Sequence, residues 1–228
     1  MLILSKTQIF NDDCLNLIKQ LPNNSIDVCL TDPPYGIDFQ SNARKNKLKK
    51  ILNDEEPFTE WIRPLYSKMK DGGRLICFYR WDVQDAFLNE IINSGFTIKS
   101  QLVWNKNQPG MGDLEGEFAP SHELMIYATK GRYTFKNKRP KTVFNCSRVS
   151  NNQIHPNEKP LKLIIDLLQS ISEPGEFVFE PFVGSGVTVE ACVKTNRICI
   201  GTELDEDYFK IAKNRIDKIL NISNNNFF

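Results

Sequence analysis

The sequence predicts an α/β fold, in which helices cover both faces of a mostly parallel sheet, from two observations. Short apolar segments with the alternation of strands recur along the 228 residues, and in one of them Ile26, Val28 and Leu30 share a face. Amphipathic segments separate these strands, and the one before Gly72 and Gly73 predicts a helix that those glycines end. Its apolar stripe consists of Phe58, Trp61, Ile62, Leu65, Tyr66 and Met69.

The remaining elements continue this alternation. We expect strands near 8–11, 75–79, 177–180 and 198–201, and helices that carry the apolar stripes of 15–21, 83–91, 161–171 and 208–220. Segments 98–104 and 124–129 predict one antiparallel pair joined by a long loop. A chain with 40% apolar residues and this length can bury one large core. We therefore predict a single domain over 1–220 and a flexible tail over 221–228.

An acidic residue, two prolines and an aromatic residue follow the predicted strand that ends at Leu30. They are Asp32, Pro33, Pro34 and Tyr35. Proline fixes its own φ and restricts the preceding residue, so Asp32 and Tyr35 are expected to be held rigidly. Ligands of open α/β sheets bind at the carboxyl ends of strands, which makes this tetrapeptide a candidate site. The alternative is a simple strand-ending turn, because Asp and Pro are common turn residues.

A rigid group of this kind suits chemistry on the amino group of a nucleobase, whose nitrogen lone pair is delocalised into the ring. The carboxylate of Asp32 and the carbonyl of Pro33 can accept the amino hydrogens and so localise the lone pair, while Tyr35 stacks on the base. A base inside a duplex must first be flipped out of the stack to reach such a group.

A second candidate site lies at Gly184-Ser185-Gly186, between the predicted strand 177–180 and a helix that starts near Thr188. The glycines lack Cβ atoms, so a ligand can approach the backbone closely. Glu203 ends the next predicted strand and suits the hydroxyls of a ribose. A dinucleotide site is disfavoured because Val189 replaces the third glycine of that motif, and no P-loop motif is present. The pattern predicts a site for a nucleoside-containing cofactor, against the alternative of a tight turn.

These motifs, in this order, resemble those of the DNA amino-methyltransferases that use S-adenosylmethionine, in the permuted beta class where the catalytic motif precedes the cofactor loop. The resemblance extends over about residues 8–216. Besides the tetrapeptide at 32–35 and the cofactor loop at 182–186, it rests on three stretches: 13–14, 155–160 and 201–205. The sequence departs from the family pattern at Glu180, where Asp is usual, at Asn157, where Thr is common, and at Asn11-Asp12-Asp13, where Gly-Asp is more usual.

The resemblance implies a Rossmann-like class I methyltransferase fold, S-adenosyl-L-methionine as the methyl donor and no metal. It implies that the substrate is the N6 amine of adenine at specific sites in double-stranded DNA, because relatives that methylate cytosine N4 more often carry Ser in place of Asp. The catalytic residues would be Asp32, Pro33, Pro34 and Tyr35. The cofactor-binding residues would be Asp13, Cys14, Asp32, Lys159, Phe182, Gly184, Ser185, Gly186, Glu203 and Leu204.

Two segments that carry only basic charges flank the proposed site, although the net charge of the chain is only +1. Segments of one sign are what contacts to DNA phosphates require, although a charge run is often only a solvated face. We expect the basic loop at 36–56 and a short target-recognition segment at 131–153 to contact DNA. The candidate DNA-binding residues are Arg44, Lys45, Lys47, Lys136, Lys138, Arg139, Lys141 and Arg148.

Composition restricts the remaining alternatives. No apolar stretch is long enough for a membrane span, the N-terminus does not match a signal peptide, and six scattered cysteines predict reduced thiols in a cytoplasmic protein. Two histidines without ligand-like spacing give little support for a metal site. The alternatives left open are cytosine N4 methylation, methylation of RNA or protein amines, and a catalytically inactive DNA-binding relative. A homodimer, which is common among relatives, and a cognate restriction endonuclease are partners that the resemblance leaves open.

Overall fold

A computed structural model describes residues 6–36, 56–110, 115–116, 118–149 and 158–225, with the backbone alone for 221–225. These residues form eight strands and six α-helices, with a short 3-10 turn at Trp81–Val83. In chain order the elements are β1 (Gln8–Asn11), α1 (Cys14–Gln20), β2 (Ile26–Thr31), α2 (Ile62–Lys68), β3 (Met69–Tyr79), α3 (Gln84–Asn93), β4 (Thr97–Asn105), β5 (His122–Thr129), β6 (Val143–Asn145), α4 (Leu161–Ile171), β7 (Phe177–Glu180), α5 (Val187–Lys194), β8 (Ile198–Glu203) and α6 (Glu206–Asn225).

The strands form one sheet in the order β1-β8-β7-β2-β3-β5-β4-β6. All neighbours pair in parallel except β5, which is antiparallel to both β3 and β4. Helix α2 contacts both α1 and α3, and helix α5 contacts both α4 and α6, so the helices fall into two sets beside the sheet. The predicted α/β fold, with one antiparallel hairpin in a mostly parallel sheet, is confirmed.

The pairing of β2 with β7 brings together two distant parts of the chain. Cys29 of β2 lies opposite Phe179 of β7, and both strands run in the same direction. The chain leaves β2 toward β3 on one side, whereas β7 and β8 occupy the other side. This reversal of strand order is the kind of position at which open α/β sheets bind ligands. The loops that follow β2 and β7 therefore meet at the carboxyl edge of the sheet.

Burial of apolar side chains on both faces holds the central strands in place. All six residues of β2 are buried, and α4 buries the apolar face formed by Leu163, Ile164, Leu167, Leu168 and Ile171. Each such side chain contributes about 1.5–3 kcal/mol when it is fully removed from water. The apolar core therefore fixes the position of β2, from which the Asp32 tetrapeptide projects.

The predicted role of Gly72 and Gly73 as the end of a helix is wrong. Helix α2 already ends at Lys68, and both glycines lie inside β3. Met69 pairs with Ile26, and Arg74 pairs with Val28. Between these two pairs β2 has one residue, whereas β3 has residues 70–73, which therefore form a bulge. Gly72 has a φ of +75°, which favours glycine in this bulge. At the other end of the chain, α6 continues to Asn225, into the segment predicted as a tail.

Gly201 allows β8 to pass close to the start of the cofactor loop. A Cβ atom at this position would lie 2.6 Å from the carbonyl oxygen of Glu180 and 2.5 Å from a methyl group of Val183. Only glycine fits such an approach without displacing backbone. The close contact fixes the position of the loop relative to Glu203, two residues further along β8.

Among the helices that the structure describes, none combines the length and the apolar character needed to cross a membrane.

Candidate active site

Asp32 and the glycine loop line the same cavity, at the point where β2 and β7 end side by side. The cavity has a volume of about 50 Å³. Its walls come from the end of β2 and the residue after it, from β3, from the stretch 180–188 that links β7 to α5, and from the segment before α4. They include Thr31, Asp32, Phe78, Glu158, Lys159, Glu180, Phe182, Gly184, Ser185 and Thr188. The two candidate sites that the sequence predicted separately are therefore one site.

Both carboxylate oxygens of Asp32 have partners. The Tyr35 hydroxyl donates a hydrogen bond to Oδ1, and the Lys159 ammonium lies 2.6 Å from Oδ2. Burial raises the pKa of Asp32 above its usual value, and the positive charge of Lys159 opposes that shift. The carboxylate is thus oriented from two sides, and the ammonium of Lys159 balances its negative charge.

Lys159, which was predicted as a cofactor-binding residue, contacts a second carboxylate as well. Its Nζ atom lies 3.0 Å from Oε2 of Glu123 on β5, and Lys106 lies 2.7 Å from Oε1 of the same residue. Burial alone would raise the pKa of Glu123, but the two lysines lower it to about 2. Sequence reasoning missed Glu123 and Lys106, because neither belongs to a local motif and only the antiparallel β4–β5 pair brings them to this edge.

Tyr35 is more buried than its predicted stacking role suggests. Only 9% of the residue is exposed, and its ring packs edge-on against Phe87 with centroids 6.4 Å apart. Tyr35 also forms an isolated β-bridge with Pro57, which ties the tetrapeptide to the segment before α2. These contacts hold the hydroxyl on Asp32, and stacking on a base stays a prediction.

Backbone geometry explains the two glycines of the cofactor loop. Gly186 precedes α5 in the left-handed conformation with φ of +83°, and Gly184 also has a positive φ of +53°. A Cβ on Gly186 would lie 3.2 Å from the backbone of Ala212, so α6 packs directly against the loop. From the same helix, Arg215 donates to the Ser185 carbonyl at 3.2 Å. The loop is therefore held in its turn by α6.

Arg215 is a second feature that the sequence did not reveal. It forms ion pairs with Glu158 at 2.7 Å and with Glu190 of α5, and so connects α6, α5 and the segment before α4. Each of these residues is ordinary in sequence, and only the fold brings them together. We infer that this cluster keeps the segment that carries Lys159 next to the loop that carries Ser185.

Glu203 lies at the end of β8 beside the cofactor loop, as the sequence predicted. Its Oε2 atom accepts a hydrogen bond from the Gly184 N–H at 2.8 Å, and Oε1 accepts one from the Asp205 N–H at 2.9 Å. Burial raises the pKa of this carboxyl group, while the backbone hydrogen bonds lower it. Each oxygen keeps further acceptor capacity, which a pair of hydroxyl groups can use.

The other predicted cofactor residues on this side lie at the neighbouring ends of β1 and β8. Asn11 pairs with Glu203 in the sheet and donates its side-chain amide to the Leu204 carbonyl at 3.1 Å. Asp13 caps α1 through a hydrogen bond from the Leu15 N–H, and Cys14 is buried behind it. Leu204 is 44% exposed, unusually so for a leucine. Neither Leu204 nor Glu203 lines the cavity; they are consecutive residues at the end of β8, and we call them the shelf.

Glu180, which stands where the family usually has Asp, is a buried carboxyl group. It accepts hydrogen bonds from the Thr31 hydroxyl at 2.7 Å and from the Phe182 N–H at 3.1 Å. Burial raises its pKa to about 8, against the effect of these hydrogen bonds. The group is therefore mainly protonated at neutral pH, and it braces β2 against the start of the loop.

Glu180→Gln is expected to flatten the pH dependence of stability. Because the folded state holds a proton on Glu180 that the unfolded state releases above about pH 4.5, the free energy of unfolding of the wild type should fall as pH rises toward about 8. The loss is of the order of a few kcal/mol. Denaturant unfolding at several pH values measures it, with Glu206→Gln on the exposed surface as control. Parallel curves for wild type and Glu180→Gln would contradict this assignment.

Phe182 closes the cavity from the side of α2. Its ring contacts those of Phe58 and Trp61 at centroid distances of 5.9 and 5.7 Å, both in edge-to-face geometry. Trp61 is fully buried and donates its indole N–H to the Phe58 carbonyl at 2.9 Å. The apolar stripe predicted before Gly72 thus supports the cofactor loop.

Within the described parts of the chain, no group of three His, Cys, Asp or Glu residues is placed to hold a metal ion.

The predicted DNA-binding residues are only partly described. Arg44, Lys45 and Lys47 lie outside the described residues, as do 150–153 of the target-recognition segment. Residues Lys136, Lys138, Arg139 and Lys141 are exposed. Arg139 and Lys141 line a cavity of about 330 Å³ with side chains from the start of β4, away from Asp32. Arg148 lies nearer the carboxyl edge, where it donates to the Pro120 carbonyl at 3.4 Å. Contact of these residues with DNA stays a prediction.

Comparison with known proteins identifies the class to which this site belongs. Residues 26–214 match the family model N6_N4_Mtase, described as DNA methylase, and the chain belongs to this family. Over 214 residues the chain is 30% identical to YubD, a presumed methylase of Escherichia coli K12, covering 92% of this chain and 90% of YubD. It is 29% identical to the type II methyltransferase M.HpaI of Haemophilus parainfluenzae, covering 91% of this chain and 74% of M.HpaI.

Solved structures agree with the fold. The complex of M1.HpyAVI with SAM superposes with a TM-score of 0.71 at 25% identity, covering 92% of this chain and 99% of that protein. The cytosine-N4-specific PvuII DNA methyltransferase superposes with a TM-score of 0.74 at 18% identity, covering 97% of this chain and 93% of that protein. The Rossmann-like methyltransferase fold is thereby confirmed.

Proposed function

We propose that this DNA methylase transfers a methyl group from S-adenosyl-L-methionine to the N6 amine of adenine at specific sites in double-stranded DNA. The observation that carries the proposal is the shared cavity of Asp32 and the loop at Gly184. Membership of the family supplies the reaction class and DNA as substrate. M1.HpyAVI, whose structure is similar over nearly its whole length, binds SAM, and we extend that ligand to this chain.

The residues present fit this cofactor. The cavity joins Asp32 to the loop at Gly184, so the reactive end of the cofactor would lie there. The nucleoside would lie on the shelf, where Glu203 offers acceptors for ribose hydroxyls and Leu204 offers an apolar face. The positive φ of Gly186 and the packing of Ala212 against the place of a Cβ fix the turn that presents the loop to the ligand.

Asp32 and Pro33 would orient the target amine. The two acceptors take hydrogen bonds from the NH₂ group, so the nitrogen lone pair points away from the ring plane and toward the cavity. The sulfonium supplies an activated methyl group; when the nitrogen attacks the methyl carbon, the carbon–sulfur bond breaks and its electron pair stays on sulfur. The carboxylate of Asp32 stabilises the positive charge that develops on the amine until the amine gives up a proton to water.

Adenine is favoured over cytosine by the acid at position 32, since Ser is the more frequent residue in N4-cytosine relatives. The experiment is to incubate the enzyme with unmethylated duplex DNA and methyl-labelled cofactor, then to identify labelled nucleosides by mass spectrometry and map them by long-read sequencing. N6-methyladenine at a defined sequence supports the proposal. N4-methylcytosine would overturn the adenine assignment, and absence of labelled DNA would overturn the proposed activity.

A homodimer, a cognate endonuclease and a cytoplasmic location stay predictions.

Removal of the exposed charges at Lys136, Lys138 and Arg139, each replaced by Gln, is expected to weaken DNA binding and flatten its salt dependence. For every phosphate that the variant no longer neutralises, the slope of log K against log salt should decrease by about 0.9. Fluorescence anisotropy with duplex DNA from about 50 to about 200 mM salt measures the slope. Lys210→Gln and Lys213→Gln on α6, which pair with acids on their own helix, serve as the control. An unchanged slope in the triple variant would exclude this segment from the DNA interface.

A further inference from the structure

Four charged side chains of alternating sign form a line that ends at the catalytic carboxylate. Lys106 contacts Glu123 at 2.7 Å, Glu123 contacts Lys159 at 3.0 Å, and Lys159 contacts Asp32 at 2.6 Å. They come from the end of β4, from β5, from the segment before α4 and from the loop after β2. Lys159 and Asp32 belong to the sequence motifs of the site, whereas Glu123 and Lys106 do not. The role of these two residues beside the site is therefore the question.

The arrangement presents a difficulty for the reaction, because both Asp32 oxygens already have partners. A target amine that approaches Asp32 competes with Tyr35 and Lys159 for the acceptor directions of these two oxygens, and it gains a well-aligned hydrogen bond most easily when one of the two withdraws. Tyr35 is held by the two preceding prolines and by Phe87. Lys159 has a flexible stem and a second carboxylate within reach, so it is the partner that can move.

A buried ammonium cannot leave its counter-ion unless another negative charge receives it. The Lys159 side chain is only 7% exposed and has the ring of Phe78 4.9 Å from its Nζ atom on another side. Glu123 offers the alternative acceptor: its Oε2 atom is inaccessible to solvent and has the ion pair with Lys159 but no well-aligned hydrogen bond. Lys106 holds the opposite oxygen and so aims Oε2 at Lys159.

We propose that Glu123 is a positioning residue that receives the ammonium of Lys159 when the target amine takes its place on Asp32. In this arrangement Lys106 fixes Glu123, and Glu123 holds a second ion pair that Lys159 keeps when it withdraws from the catalytic carboxylate. The inference rests on the proposed function, since it assigns a role within that reaction. It adds Glu123 of β5 and Lys106, which follows β4, to the residues that position the tetrapeptide at 32–35.

The neighbours of Asp32 allow a test by pH. The groups that face it are Lys159, Tyr35, Glu123, Cys77 of β3 and Glu180 of β7. Burial raises the pKa of Tyr35 and of Cys77, and the pKa of Glu180 is about 8, so all three stay neutral in acid. The acid limb of the rate therefore reports Asp32, whose pKa the negative charge of Glu123 raises.

Two variants of the full-length protein separate positioning from simple structural support. Glu123→Gln removes the carboxylate that would receive Lys159, so the ammonium stays on Asp32 and kcat should fall about tenfold to a hundredfold, with cofactor affinity within about threefold of wild type. The acid limb should move about one unit to lower pH, because a negative charge near Asp32 is lost. Lys106→Gln leaves Glu123 wholly to Lys159, so the acid limb should move in the opposite direction.

A second measurement does not depend on turnover. In protein without cofactor, the carbon-13 shift of the Asp32 carboxyl group should titrate at lower pH in Glu123→Gln than in wild type, and at higher pH in Lys106→Gln. Equal losses of thermal stability in both variants, with the Asp32 titration and kcat unmoved, would overturn the inference and leave Glu123 a structural ion pair. Wild-type protein that fails to methylate DNA would overturn the proposed function instead, and the titration would still decide the role of Glu123.

Discussion

Asp32→Ala should lower the rate of methyl transfer about a thousandfold and leave cofactor affinity within about threefold of wild type. Removal of one preorganised electrostatic partner of a transition state typically costs about 10²–10³-fold. Asp32 lies at the end of β2, outside the shelf of Glu203 and Leu204, so loss of its carboxylate does not disturb the nucleoside part of the site. Single-turnover transfer to duplex DNA measures the rate, and calorimetry measures cofactor binding.

The fold should survive this substitution, because Lys159 keeps Glu123 as a counter-ion at 3.0 Å. Asp32→Asn is the matched variant: it retains the volume and one carbonyl acceptor but loses the charge, so its rate should lie between those of wild type and Asp32→Ala. A normal rate in Asp32→Ala would remove this residue from the reaction. A parallel loss of rate and of cofactor affinity would mean that Asp32 acts mainly in binding.

Glu203→Ala should weaken cofactor binding about tenfold to a hundredfold, with kcat near that of wild type at saturating cofactor. The carboxylate supports the Gly184 and Asp205 backbone N–H groups and offers its remaining acceptor capacity to a ribose. Hydrogen bonds to a charged group are worth about 1.5–3 kcal/mol, and about 1.4 kcal/mol corresponds to tenfold in affinity. Titration calorimetry with the cofactor measures the change.

The matched control for Glu203 is Glu206→Ala, which removes an exposed acid from the first turn of α6 and breaks its ion pair with Lys210. Cofactor affinity of the control should equal that of wild type. An affinity of Glu203→Ala within threefold of wild type would show that this carboxylate does not contact the cofactor. A fall in kcat at saturation would place it in the transfer step.

Local motifs predicted the two halves of the site, because a rigid turn and a glycine loop each lie within a few consecutive residues. Their meeting follows from the fold, because β2 and β7 are neighbours in the sheet and end side by side. The prediction that Gly72 and Gly73 end a helix was wrong. Two glycines are compatible with a helix end and with a β-bulge, and here they lie in the bulge of β3.

The charged groups around the site could not be predicted in the same way. Glu123 lies on β5, and nothing in its neighbourhood distinguishes it from a surface acid of an alternating strand. Its contact with Lys159 depends on β5 running opposite to its neighbours, which is a property of the whole sheet. Arg215 likewise reaches Glu158 and Ser185 only because α6 packs on the cofactor loop. Long-range ion pairs of this kind leave no periodic or local signal.

The shared site of Asp32 and the cofactor loop is tested most directly by a crystal structure of the ternary complex. The complex would hold duplex DNA that contains the mapped target and a cofactor analogue that cannot transfer its methyl group. We expect a flipped adenine whose amino nitrogen lies within hydrogen-bonding distance of an Asp32 oxygen and the Pro33 carbonyl, with the analogue against residues 184–186. A target base that stays stacked in the duplex, or an amine that lies away from Asp32 while the analogue is bound, would contradict the proposed mechanism.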